Sequence, residues 1–202
     1  EIYTAAAPRV CGRATVPVLW DTVRRTIVNN ESADILRMLN TGFGALASDA
    51  FDLCPADLRE PIEALNAEVY AALNNGVYRA GFATTQGAYE DAVADVFAML
   101  GRLDARLAAA GPFLFGERAT EADIRLFVTT VRFDAAYHGL FKCNLRRLTD
   151  YPALTAHAGR MLDLPGVRAT VSLDHIRRGY HSIRSLNPAG IVPVGPALPW
   201  DL

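Results

Sequence analysis

From Leu58 to Leu162 the apolar residues return every three or four positions, and this spacing restricts the fold more than any other feature of the chain. Leu58, Ile62, Leu65, Val69 and Leu73 fall on one face of a helix that follows Pro55-Ala56-Asp57. Val93, Val96, Phe97, Leu100, Leu103 and Leu107 make a second helix, closed by Gly111-Pro112. Such spacing suits a helix and not a strand, whose side chains alternate between two faces. A third helix starts at Thr120-Glu121-Ala122-Asp123, where Thr120 can cap and Asp123 can reach back to it. Its face is Ile124, Phe127, Val128 and Val131, with Ala135 one turn further on. A fourth runs from about Pro152 to Leu162, and the Pro- and Gly-rich stretch from Asn187 to Leu202 has no periodicity. Residues 55–163 therefore predict a helical bundle.

The first forty residues read differently. Val16-Pro17-Val18-Leu19-Trp20 is a short apolar run ended by Asp21 and the basic turn at Arg24-Arg25. Thr26-Ile27-Val28 is a second, β-branched run, ended by Asn29-Asn30. Two strands cannot close a core alone. Pro17 donates nothing to a ladder and belongs at a sheet edge or a bend. A helix then begins within Asn30-Glu31-Ser32-Ala33-Asp34, where side chains can cap and acids meet the positive end of the dipole. Ile35, Leu36 and Leu39 supply its apolar side. The expectation is a β-β-α piece over residues 1–41, the last part of an α/β unit that begins upstream of Glu1, followed by an all-helical domain over residues 42–202.

Charge and cysteine usage remove several functions. The 20 Lys and Arg against 22 Asp and Glu leave a formal net charge of −2, so no global field draws polyanions, and a nucleic-acid partner is not expected. No apolar run is long enough to span a bilayer, and the opening residues lack the basic and apolar regions of a signal peptide, so no membrane partner is expected. The 3 cysteines, Cys11, Cys54 and Cys143, and the 4 histidines show no metal-ligand spacing. No metal is expected. An odd, sparse cysteine count suits a reducing compartment, which points to the cytoplasm.

Several blocks, in order along nearly the whole chain, carry a family resemblance. They are Val16-Pro17-Val18-Leu19-Trp20-Asp21, Asn29-Asn30-Glu31-Ser32, the run from Asn74 to Ala83, Ala122-Asp123-Ile124-Arg125-Leu126-Phe127, Phe141-Lys142-Cys143-Asn144-Leu145, Asp174-His175-Ile176 and the run from Asn187 to Pro196. Together they resemble the glutathionyl-hydroquinone reductases, the Xi class of the glutathione S-transferases. The resemblance implies a mainly α fold: a glutathione-transferase C-terminal helical bundle preceded by the C-terminal part, β-β-α, of a thioredoxin-like domain. It also implies glutathione as co-substrate, glutathionyl-hydroquinones and related quinone-type aromatics as partners, and a homodimer.

The resemblance assigns residues as well. Val16, before a cis Pro17, would pair its backbone with the glutathione cysteine in the manner of an added strand. Glu31 and Ser32 would hold the γ-glutamyl end, with the amides of a helix N-terminus facing its carboxylate. Tyr78 and Tyr180 would line the ring pocket, where a phenol can help deliver a proton to the carbon that loses sulfur. Around Tyr180 the chain departs from the family, with Gly179 where a histidine is usual and His181 where a second aromatic is common. The family's attacking thiol sits in a Cys-Pro-Trp-Ala motif that these residues do not contain, and a reactive thiol needs an electropositive helix-end setting. Cys11, Cys54 and Cys143 are therefore expected to be structural or incidental. The nucleophile is expected upstream of Glu1, and this chain alone is expected not to turn over. The alternative is a non-catalytic module of glutathione-transferase type that binds glutathione or partner proteins.

Overall fold

The computed structural model describes residues 1–9, 11–46 and 51–200. The chain divides into two compact units, Glu1–Pro55 and Ala56–Leu202.

The first unit opens with a short helix, α1 (Ile2–Ala6), whose Tyr3 hydroxyl donates to the Thr15 carbonyl at 2.8 Å. Strands β1 (Leu19–Asp21) and β2 (Thr26–Asn29) pair antiparallel, with Trp20 opposite Ile27 and Asp21 opposite Thr26. Asp21 closes the turn between them, its Oδ1 accepting from the amides of Val23 at 2.9 Å and Arg24 at 2.8 Å. The strand starts at Leu19 and not at Val16, where the apolar run begins. Pro17 has no N–H to give a ladder, and Val16 is 90% exposed. The Val16–Pro17 peptide is cis, in agreement with the expectation. Helix α2 (Ser32–Thr41) half-buries Ile35, Leu36 and Met38. Leu39, read as part of that apolar side, faces solvent.

The second unit is a helical bundle. Its members are α3 (Arg59–Val69), α4 (Gly76–Gly81), α5 (Gln86–Ala110), α6 (Glu121–Arg132), α7 (Pro152–Asp163) and α8 (Leu173–His181). Ile62, Leu73, Leu100, Leu103, Leu126 and Leu154 are fully buried and form its centre. Phe127 and Val131 join Phe113, Ala158 and Met161 in a further cluster, against which Trp200 packs. Val128 does not share the fate read for it; it is 42% exposed while Leu126 is wholly buried. Helix α6 packs against both α3 and α7, so its buried surface is wider than one stripe. Among the described residues no helix is long and apolar enough to cross a membrane.

Two interruptions position the site. Helix α3 passes into α4 through a π turn at Tyr70–Asn74, closed by the Asn75 amide on the Tyr70 carbonyl at 2.8 Å. Helix α6 runs on through a second π turn at Phe133–Tyr137, closed by His138 on Phe133 at 2.8 Å. Single π turns inside helices recur at functional sites, because the extra residue rotates every later side chain about the helix axis. Asn74 fastens the first to α6, its amide donating to the Arg125 carbonyl at 2.9 Å and to Thr129 Oγ1 at 2.6 Å.

Candidate functional site

Tyr78 stands on α4, one turn after the first π turn, and Tyr180 on α8. The structure brings their hydroxyl oxygens to 2.7 Å, across 102 residues of sequence. A third phenol, which sequence reading missed, completes the group: Tyr137, the last residue of the second π turn, lies 2.8 Å from the Tyr180 hydroxyl. Phe141 is the floor. Its ring meets Tyr78 edge-on at 5.3 Å, stacks on Tyr137 at 5.3 Å and meets Tyr180 edge-on at 5.8 Å. This closeness depends on Gly81, because a Cβ there would lie 2.4 Å from Phe141 Cγ. The one sequence signal for Tyr137 was its place, two turns beyond the helix face that ends at Val131.

The hydroxyl chain runs from the interior to the surface. Tyr137 is 2% exposed and Tyr78 is 38% exposed. Burial pushes the Tyr137 phenol far above its usual range, with the neighbouring tyrosines adding to the shift. It stays protonated, and it shares a hydrogen bond with the Tyr180 hydroxyl in which either oxygen can donate. Tyr180 is pushed up to about 12, first by burial, with the Tyr137 hydrogen bond and the Arg132 charge acting the other way. The three phenols form a relay that begins in the core and ends at a pocket.

That pocket has a volume of about 590 Å³ and is lined by Val128 and Val131 of α6, Ile176 of α8 and Ile183 just beyond it. Tyr78, Tyr180 and Arg132 border it. The tail after α8 holds that helix in place: Arg177 donates to the carbonyls of Val194 at 3.3 Å and Pro196 at 2.8 Å, and Asn187 to those of His181 and Ile191. Nearby, Arg168 pairs with Asp163 and Arg178 with Asp174.

In the first unit, Glu31 and Ser32 form the start of α2, both exposed, and Glu31 makes no capping bond with its side chain. The Asn29 side chain orients the entry by accepting from the Glu31 amide at 2.6 Å. Asn30 donates to Thr15 Oγ1 at 3.2 Å, which sets the residues flanking Val16 beside those flanking Glu31. An exposed backbone at Val16 and the amides that begin a 10-residue helix suit a peptide with a carboxylate end.

Cys143 is buried and its thiol is pushed up to about 12 by that burial. Cys11 is exposed and Cys54 half-buried, and none is in a disulfide. Among the described residues no cluster of three or more His, Cys, Asp or Glu is arranged to hold a metal ion.

Comparison with known proteins agrees with this geometry. The glutathione S-transferase C-terminal domain family matches residues 86–160. The glutathionyl-hydroquinone reductase PcpF of Sphingobium chlorophenolicum is 52% identical over 200 residues, which are 98% of this chain and 64% of that protein. The glutathione-bound structure of YqjG, a glutathione transferase homolog from Escherichia coli, is 48% identical with a TM-score of 0.94, over 97% of this chain and 64% of that one. Glutathione transferase Xi 1 of Trametes versicolor is 45% identical with a TM-score of 0.93, over 96% of this chain and 68% of that one. The chain thus spans somewhat less than two thirds of the curated relative's length. A β-β-α piece, a bundle with its Thr-x-x-Asp helix start and these matches agree: the chain belongs to the Xi class of the glutathione S-transferases.

Proposed function

We propose that this chain is the greater part of a glutathionyl-hydroquinone reductase, which removes glutathione from glutathionyl-hydroquinones. A cysteine thiolate attacks the substrate's sulfur and forms a mixed disulfide with glutathione. The electron pair of the broken carbon–sulfur bond goes to the ring carbon, which takes up a proton and leaves as hydroquinone. A second glutathione thiolate then attacks the glutathione sulfur of the mixed disulfide, giving oxidised glutathione and the original thiolate. The attacking cysteine belongs to a segment upstream of Glu1. Val16, Pro17, Glu31 and Ser32 bind glutathione.

Tyr78 and Tyr180 are the catalytic residues of the ring half. They hold the ring oxygen and deliver the proton, and Tyr137 is a positioning residue whose hydroxyl holds that of Tyr180 in place. The observation that carries this reading is the three-phenol relay ending at a pocket of a size for an aromatic ring. The same reading takes the protein to be a cytoplasmic homodimer.

The test uses the protein encoded by the whole reading frame. It should release hydroquinone from glutathionyl-hydroquinone at the expense of glutathione, while residues 1–202 alone should not. Tyr78→Phe should lower that turnover more than it lowers thiol transfer to a small disulfide. Equal losses in both assays would remove Tyr78 from its role, and turnover by the chain alone would mean that the thiol is misassigned.

A further inference from the structure

Phe141 touches all three phenols of the relay, and the turn that follows it is one the backbone resists. Lys142 has a φ of 60°. That is the left-handed region, which a residue with a Cβ enters only at a cost. Phe141 and Cys143 on either side are wholly buried, while Lys142 is exposed. A conformation of this kind persists where its surroundings hold it, and such places gather at functional sites.

Two of the bonds that hold it are local. The Lys142 amide donates to the Gly139 carbonyl at 3.3 Å, and the Cys143 amide to the Tyr137 carbonyl at 3.1 Å. A third comes from another helix. Tyr89, in the first turn of α5, donates its hydroxyl to the Lys142 carbonyl at 2.7 Å, across 53 residues of sequence. A carbonyl can only accept, so the donor in this bond is fixed. Its length is that of a well-made O–H···O bond.

Helix α4, which packs along α5, meets the same ring from another direction. Gly81 leaves the room that Phe141 fills, and Phe82 meets Phe141 edge-on at 5.6 Å. The ring is therefore held by contact from α4 and, through Lys142, by a hydrogen bond from α5. The relay above it has little tolerance, since its hydroxyls stand 2.7 and 2.8 Å apart.

We propose that Tyr89 is a positioning residue of the phenol site: its bond to the Lys142 carbonyl clamps the strained turn that sets Phe141 against Tyr78, Tyr137 and Tyr180. The inference rests on the hydroquinone reading and adds to it a residue outside the pocket.

The protein encoded by the whole reading frame carries the test, as Tyr89→Phe, Lys142→Gly and the double variant. Tyr89→Phe should lower kcat for hydroquinone release about tenfold, within what an ångström-scale misplacement costs, and leave thiol transfer to a small disulfide within about twofold. Glycine enters the left-handed region without strain, so the turn no longer needs its clamp, and the double variant should regain roughly half of the parent rate or more. An unchanged rate in Tyr89→Phe, equal losses in both activities, or no rescue at Lys142 would each overturn the proposal. Failure of Tyr89→Phe to fold would overturn it as well, since the bond would then serve the fold alone. Absence of hydroquinone release from the parent would instead overturn the hydroquinone reading. The ring NMR signals of Phe141 then still test the clamp on the same variants: they should shift in Tyr89→Phe and return in the double variant, and unmoved signals would overturn it.

Discussion

The run from Glu121 to Tyr137 carries a polar cluster at each end, and the two differ in one respect. At its start Asp123 is wholly buried. Its Oδ2 accepts from the Thr120 amide at 2.8 Å and the Thr120 hydroxyl at 2.9 Å. Its Oδ1 accepts from the Leu114 amide at 2.8 Å and faces His157 Nε2 at 3.0 Å. His157 Nδ1 is buried without a partner. At the far end Tyr137 begins an equally short chain of bonds, but that one comes out at Tyr78 and the pocket. A polar cluster closed on itself can only hold the fold. One with an open end can pass a proton to a ligand.

The largest effect should come from breaking the closed end. Asp123→Ala strands the Leu114 and Thr120 amides and His157 Nε2 in the interior, which costs on the order of 3–5 kcal/mol. Urea denaturation of the chain measures this directly. Asp123→Asn, which keeps one carbonyl oxygen, should lose less. A loss below about 1 kcal/mol for the alanine variant would mean that the closed cluster is not what holds the start of α6.

The open end should respond in the opposite sense. Tyr180→Phe removes the middle of the relay, and under the proposed function it should lower hydroquinone release by roughly a hundredfold or more, the usual range for a positioned general acid. Its stability cost should stay near 1 kcal/mol, the net value of an ordinary hydrogen bond. Turnover assays on the whole-frame protein, paired with urea denaturation of the same variant, separate the two. A variant that loses stability as Asp123→Ala does, while keeping its turnover, would erase the distinction between the ends.

The two ends were unequally legible in the sequence. Thr120 and Asp123 are three residues apart at a helix start, and the reciprocal bonding follows from that spacing alone. The bundle was legible for the same reason, since Ile62, Leu65, Val69 and Leu73 mark their own buried face. Tyr78 and Tyr180 came only through the family resemblance, because no local pattern relates residues 102 apart. Tyr137 was missed. Its burial depends on a π turn, and the extra residue in that turn breaks the period on which sequence reading relies. Helix α8 was missed as an element because polar residues dominate it: Arg177, Arg178 and Asp174 leave only Leu173 and Ile176 as apolar signal before Gly179. Val128 was assigned to the core because spacing shows which residues share a face and not which face meets a neighbour.

The smallest effect should be the most specific. Tyr137→Phe removes one hydrogen bond to Tyr180 and should cost about 1 kcal/mol at neutral pH. Its distinctive sign lies in alkali. The Tyr137 phenol is raised above its ordinary value of 10.0 by burial, so the native state keeps a proton that the unfolded chain gives up above about pH 10. Stability from this group is complete below that pH and falls as pH rises beyond it, because the unfolded state then binds fewer protons. Tyr180 and Cys143, each pushed up to about 12, add to the same fall between their unfolded and folded values. Urea midpoints from pH 7 to 11 should therefore decline for the parent chain and decline less steeply for Tyr137→Phe. Equal slopes would show that the buried phenol is not held protonated. The open end would then differ from the closed one in exposure alone.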